Sequence, residues 1–159
     1  MKKYIGTKEV MAQPMSAEEA VKMGYKVGSN TGNGYEVEYK DGYKSWSPKD
    51  VFEEAYKEFD NMSFGMAIDA LKNGRAIRRS GWNGKGLFVV KQIPAHIEND
   101  IIPKMQSLPQ SAKDLILKGK GFIDYTSQCL IINENNGKAD SWVPSISDVF
   151  AEDWQIVTY

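Results

Sequence analysis

"SFGMAIDALKNGRAIRRSGWNGKGLFVV", residues 63–90, reads as one helix feeding two strands. Ser63 offers a hydroxyl N-cap and Gly74 a C-terminal stop. Met66, Ile68 and Leu71, with Ala67 and Ala70, recur at helical spacing and give the helix an apolar surface. "RAIRR" and "GLFVVKQI" are short strands, and Asn83-Gly84 between them predicts a two-residue turn, since both residues tolerate positive φ. A helix leading into an antiparallel hairpin places the chain in the α+β class. The expected architecture is a small antiparallel β-sheet with an N-terminal helix.

Downstream, Pro94, Pro103 and Pro109 punctuate a long connection whose last part, "QSAKDLILKG", fits a helix. "GFIDYTSQCLIINEN" is the longest strand candidate, and Asn136-Gly137 turns it back toward "KADSWVP". "SISDVFAED" reads as a helical turn before the closing strand "WQIVTY". Upstream, residues 1–60 read as a separate small αβ module, which puts the ligand-bearing unit at 61–159. In the module, "KYIGTKEVMAQPM" is strand-like until Pro14 ends the pattern. Ser16 and Glu19 form a capping-box pair for a helix that Gly24 stops. "YEVEYKDGYKSW" is a hairpin about Asp41-Gly42. Ser47 as N-cap and Pro48 at the first helical position then open a helix with Val51, Phe52, Ala55 and Phe59 on one face.

The formal net charge of −1 argues against a general nucleic-acid binder, which needs a basic face. Residues 1–60 hold nine Lys, no Arg and eleven acids; residues 61–159 hold eight Lys, three Arg and ten acids. All three arginines, Arg75, Arg78 and Arg79, fall within five consecutive positions. Their planar forks suit phosphate and carboxylate. The lone Cys129 cannot form an internal disulfide, so a reducing, cytosolic setting is expected. No apolar run reaches membrane-spanning length, and "MKKYIGTKEV" lacks the apolar core of a secretory signal.

Enzymatic constellations are thin. One His and one Cys exclude a Cys/His zinc cluster and an HExxH site, so no metal or other cofactor is expected. A Cys129–His96 nucleophile pair is disfavoured because Cys129 sits mid-strand, as a buried inert thiol would. "GSNTGNG" and "NGKGL" each lead into a strand, so neither presents a helix N-terminus to phosphate. Glu152 and Asp153 are adjacent carboxylates, and neighbours on a strand point to opposite faces.

The better constellation is aromatic and basic. Trp82, Phe88, Trp142 and Trp154 are flat surfaces that pack a core or stack on a base. Trp154, embedded before "QIVTY", reads as core. Trp82 and Trp142 each abut a polar turn or loop, "SGWNGKG" and "ADSWVPSISD", and two readings stand: a stacking platform, or a structural Trp closing the sheet. Arg78 and Arg79 face opposite sides of a strand, so only one of them serves a common pocket.

"SFGMAIDALKNGRAIRRSGWNGKGLFVV", closing with "DSWVPSISDVFAEDWQIV", resembles a phage family that includes the type-two Thoeris anti-defence proteins. The resemblance covers about residues 62–93 and 122–157 and rests on the FGxAxxxLxxG helix, the GWNGKG turn and the AEDW closing motif. Residues 94–121 depart from the compact pattern, and "DGYKSWSPKDVFEEAY" is similar to a module of phage and prophage proteins. The resemblance implies a non-enzymatic sponge in the cytoplasm of the infected bacterium. Such proteins capture a cyclic ADP-ribose isomer, and some relatives cyclic dinucleotides, and release the ligand intact. It also implies a homotetramer with pockets between subunits. On that reading Trp82 and Trp142 are stacking surfaces, Arg78 or Arg79 meets phosphate, Asn83 and Asp148 meet base or ribose, and Phe88 and Ser147 complete the ligand-binding set. The alternatives are a hydrolase of the same signal using Glu152 or Asp153, or an adaptor that binds a protein through residues 1–60.

Overall fold

The computed structural model describes residues 1–158. Strand β1 (Met11–Ser16) runs directly into helix α1 (Ala17–Lys22), where Ser16 accepts the backbone N–H of Glu19 and Glu19 returns the bond. This is the capping box expected from the sequence. Strands β2 (Asn33–Glu38) and β3 (Lys44–Pro48) close a hairpin in which Gly42 has φ +82°, as the Asp-Gly turn requires. The three strands form one antiparallel sheet in the order β1-β2-β3. Its small core joins Met15, Ala17, Ala20 and Trp46, and the Trp46 indole N–H donates to the Met15 carbonyl at 3.0 Å.

Two expectations in this module are corrected. Pro14 does not end the strand, because β1 is an edge strand, where a missing N–H is tolerated. Ser47 is not a helix cap either: it pairs with Tyr35 inside β3, and helix α2 (Lys49–Ala55) starts after Pro48 without a side-chain cap. The face expected to be apolar on α2 buries no residue fully, and Val51 is 59% exposed. Phe52 instead stacks between Tyr35 and Tyr56, with centroids at 4.4 and 4.8 Å.

Helix α3 (Phe64–Lys72) is capped by Ser63 and stopped by Gly74 at φ +79°. It packs its Ala67, Ala70 and Leu71 on a five-stranded antiparallel sheet made of β4 (Ile77–Arg79), β5 (Leu87–Gln92), β8 (Gln128–Asn133), β9 (Ala139–Trp142) and β10 (Trp154–Ile156). The spatial order is β10-β4-β5-β8-β9. Ile77, Val89 and Trp154, each 0% exposed, form the centre of the core with that helix. The chain is therefore α+β, with a three-stranded and a five-stranded antiparallel sheet, a two-stranded one besides, and a helix on the largest.

The long strand candidate is broken. Strand β7 (Ile123–Tyr125) leaves the main sheet to pair with β6 (Ala95–Ile97), and β8 begins three residues later. The cause lies in the partner strand. Gln92 pairs with Gln128 and Ala95 with Tyr125, while Pro94 between them has no N–H to continue the ladder. The β6–β7 pair thus forms an arm, topped by a 3₁₀ turn (Ile102–Lys104) and helix α4 (Gln110–Lys118). Among the described residues, no helix is long and apolar enough to cross a membrane.

Candidate functional site

The connection between β4 and β5 is a loop, Ser80–Gly86, and not the two-residue turn expected at Asn83-Gly84. Neither Asn83 nor Gly84 has positive φ; Gly86 does, at +77°. The loop is wide because a carboxylate grips its start. Asp153 accepts the Gly81 N–H at 2.7 Å and the Ser80 hydroxyl at 3.3 Å. A Cβ on Gly81 would lie 2.7 Å from that same oxygen, so a larger residue there would have to displace the carboxylate. The next residue, Trp82, is then turned inward onto the core.

Asp148 is the hub of the site. It belongs to the short helix α5 (Ile146–Val149), whose N-cap Ser145 forms a second capping box with it. One carboxylate oxygen receives the Ser145 N–H and hydroxyl at 2.9 and 2.7 Å. The other receives the Trp82 indole N–H at 3.0 Å and Arg79 Nη1 at 2.9 Å. Burial pushes the Asp148 carboxyl up, but the bonds from Trp82, Arg79 and Ser145 outweigh it and hold the pKa down at about 2. Arg79 bridges onward to Asp153 through Nε at 2.7 Å. Burial likewise raises Asp153, and Arg79 with the Gly81 N–H lowers it below the ordinary carboxylate value. One guanidinium therefore sits between two ionised carboxylates.

Three indoles complete the arrangement. Trp82 lies edge-on to Trp142 and to Trp154, with centroids at 6.3 and 5.5 Å, and Trp142 meets Trp154 at 6.0 Å. Edge-to-face contacts of this kind hold each ring in one orientation. Trp154 is fully buried and donates its N–H to the Asp148 carbonyl at 3.0 Å, the core role expected of it. Trp82 and Trp142 are only half-buried, so neither residue is closed off from solvent. These two tryptophans thus pack on the core and also border solvent.

The expected site residues divide between the two faces of the sheet. Arg79, Trp82, Trp142, Asp148 and Ser147 gather on the side of α3 and Trp154, with Ser147 exposed and its carbonyl 3.4 Å from Arg79 Nη1. Asn83 is exposed on the loop beside Trp82. Arg78 is on the opposite face, where its Nε donates to Gln155 at 3.3 Å. Phe88 shares that opposite face, since its neighbour Val89 points into the core. Sequence reasoning missed Ser145 as a hub partner, although the Ser-x-x-Asp spacing of a capping box was there to find. It also missed that Asp153 organises the loop, for which only the fold supplies a reason.

Cys129 is half-buried against the core, where burial pushes its thiol pKa up, so it is not poised as a nucleophile. His96 stands apart on the arm, bonded to Asp124 at 2.6 Å. Among the described residues, no cluster of His, Cys, Asp and Glu is arranged to hold a metal ion.

Residues 62–157 match the sequence model of the Thoeris anti-defense 2-like domain. "Thoeris anti-defense 2" of Bacillus phage SP01 is 36% identical over 102 residues, covering 61% of this chain and 96% of that protein. The whole Arg79–Trp82–Trp142–Asp148–Asp153 cluster lies inside the matched span, and the three-stranded sheet lies outside it.

Proposed function

The chain belongs to the Thoeris anti-defense 2-like family, a phage anti-defence lineage, and from that premise we propose that it captures a cyclic nucleotide immune signal without cleaving it. The ligand class is a cyclic ADP-ribose isomer, with cyclic dinucleotides as a second candidate, bound in the cytoplasm of the infected cell. The observation that carries the reading is the fixed pair Trp82 and Trp142, half-open to solvent and locked through Asp148 and Trp154. A ring already held in place stacks on a base with little ordering cost. Arg79 Nη2 has no hydrogen-bond partner among the described residues; with its charge offset by Asp148 and Asp153, it offers a ligand oxygen a hydrogen bond rather than a net positive charge. Asn83 and Ser147, both exposed beside the rings, suit ribose hydroxyls or base edges.

Non-catalytic capture is favoured over hydrolysis because, of the two carboxylates a hydrolase would use, Asp153 is occupied by Arg79, Gly81 and Ser80, and Glu152 is exposed. An ionised carboxylate so engaged is a poor general acid. The second copy in a homotetramer would cover Val143, Ile146 and Phe150, which are 83%, 76% and 78% exposed beside Trp142 and Asp148. The test is to incubate the protein with the cyclic ADP-ribose isomer, remove free ligand, denature, and weigh what is released by mass spectrometry. Intact ligand supports the proposal. A cleaved product, or no retained ligand, refutes it.

A further inference from the structure

A second concave surface lies between the two larger sheets, and none of Arg79, Trp82, Trp142, Asp148 or Asp153 lines it. It is a cleft of about 750 Å³, within the usual size of small-ligand pockets, about 300–1,000 Å³. Its walls are an N-terminal strap, the β2–β3 turn, the end of α2 with the segment after it, one side of α3 with Met62 and Arg75 flanking it, and Ile156. The strap is fastened once to α3 and once to the segment that follows it. The Thr7 hydroxyl donates to Asp69 at 2.8 Å, and Arg75 Nη2 donates to both Glu9 oxygens at 2.7 and 2.9 Å.

The lining is aromatic and carries cations in excess. Tyr39, Tyr43, Tyr56 and Phe59 all face the cleft, and Tyr43 is 64% exposed. Arg75 stacks on Phe59 at 5.1 Å, but Glu9 already neutralises it. Lys8, Lys40 and Lys57 are different. Each borders the cleft on a separate segment, and among the described residues none forms an ion pair with a carboxylate. Lys8 sits 5.6 Å above the Tyr39 ring, and Lys57 donates to the Glu53 carbonyl at 3.0 Å, leaving ammonium protons on both. Of the acids in the lining, Glu9 and Asp69 are occupied as described, and Asp41 accepts the Tyr43 N–H in the turn.

We infer that this cleft is a second binding site, for an organic phosphate that carries an aromatic ring, chemically a mononucleotide. Its base stacks on the accessible face of Tyr43, and its phosphate meets the lysines that converge from three segments. The site does not depend on the Trp82 cluster, and it needs the N-terminal module that lies outside the family match.

The test uses the intact chain, titrated with AMP, GMP, CMP and UMP and, as separated halves, with adenosine and ribose 5-phosphate. Binding is followed by calorimetry and by amide shifts in ¹H–¹⁵N spectra. At least one nucleotide is expected to shift Lys8, Lys40, Tyr43 and Lys57 and to bind roughly tenfold tighter than either half. The exposed double variant Lys40→Glu/Lys57→Glu is expected to weaken it by roughly tenfold or more at an unchanged melting temperature, and Trp82→Ala to leave it intact. The inference is overturned if no nucleotide moves these amides at millimolar concentration, if the shifts map only around Trp82, or if the double charge reversal leaves affinity unchanged. Because signal capture is read at Trp82 and nucleotide binding at the lysines, failure of either reading is visible separately.

Discussion

Trp82 and Asp148, separated by 66 positions, are joined by a 3.0 Å bond from indole N–H to carboxylate, and the oxygen that accepts it also holds Arg79. A single carboxylate thus orients the proposed stacking ring and the nearby cation together. Disturbing it acts on both.

Asp148 makes stability acid-sensitive. Its folded pKa, about 2, lies below the ordinary 3.8, so the ionised form favours the fold. The contribution is complete above the unfolded value and is lost as pH falls from near 4 toward 2. Urea melts across that range are expected to show a falling midpoint. In Asp148→Asn the fall is shallower, and stability at neutral pH is lower by about 2–4 kcal/mol, because Arg79 loses a partner. A variant as steep as the parent would remove Asp148 from this role.

The loop glycines are expected to differ. Gly86 combines φ +77° with a Cβ position 2.4 Å from Asn135 Nδ2 and 2.7 Å from Glu134 Cγ. Gly84 has no positive φ, and its Cβ would meet only the mobile end of Leu87. Gly86→Ala should cost about 1–3 kcal/mol and Gly84→Ala clearly less, measured by denaturant melts. The opposite order would restore a two-residue turn at Asn83-Gly84.

Arg79 and Arg78 separate structure from surface. Arg79→Ala leaves two carboxylates facing each other without their cation, and should lower stability by about 2–4 kcal/mol. Arg78→Ala removes one exposed bond to Gln155 and should change it by less than about 0.5 kcal/mol. Equal losses would mean that the guanidinium bridge contributes little.

For Trp82, stacking and hydrogen bonding come apart on substitution. Trp82→Ala should weaken capture of the cyclic ADP-ribose isomer by about tenfold to a hundredfold, since a stacked base is worth about 1–3 kcal/mol. Trp82→Phe keeps a ring but no donor, so capture should largely return while stability falls. Affinity that survives Trp82→Ala in a folded protein would exclude stacking there.

His96 offers a check on the arm. Its bond to Asp124 raises its pKa above 6.5, with Glu98 adding attraction. The charged form therefore favours the β6–β7 pair, support that is present below pH 6.5 and lost as pH rises through the higher folded value. An NMR titration should place the His96 midpoint above 6.5, and Asp124→Asn should bring it down. A midpoint unmoved by Asp124→Asn would rule out this pairing.

Much of this architecture was legible from local chemistry. Ser16 with Glu19, Ser63 with Gly74, and Asp41-Gly42 each act within a few residues, and all of them behave as read. What was illegible depends on partners distant in the chain. The loop after Arg79 widens because Asp153 holds it from 72 positions away. The strand break at Thr126-Ser127 follows from Pro94 on the facing strand. Trp82 and Trp142 were recognisable as candidates, but their mutual locking was not, because Trp154 and Asp148 arrive from elsewhere.

The position of β10 governs when the larger sheet can finish during synthesis. This strand pairs with β4 on one side and, through Met62 and Trp154, bridges to the segment before α3 on the other. β4 and Met62, which pair with it, are made well before it, yet the indole that fills the centre of the core belongs to β10. A nascent chain paused before Trp154 holds α3 over an unfilled hollow, exposed to proteases and chaperones. Pairing of β10 then adds the edge strand to β4 and the single bridge to Met62 together.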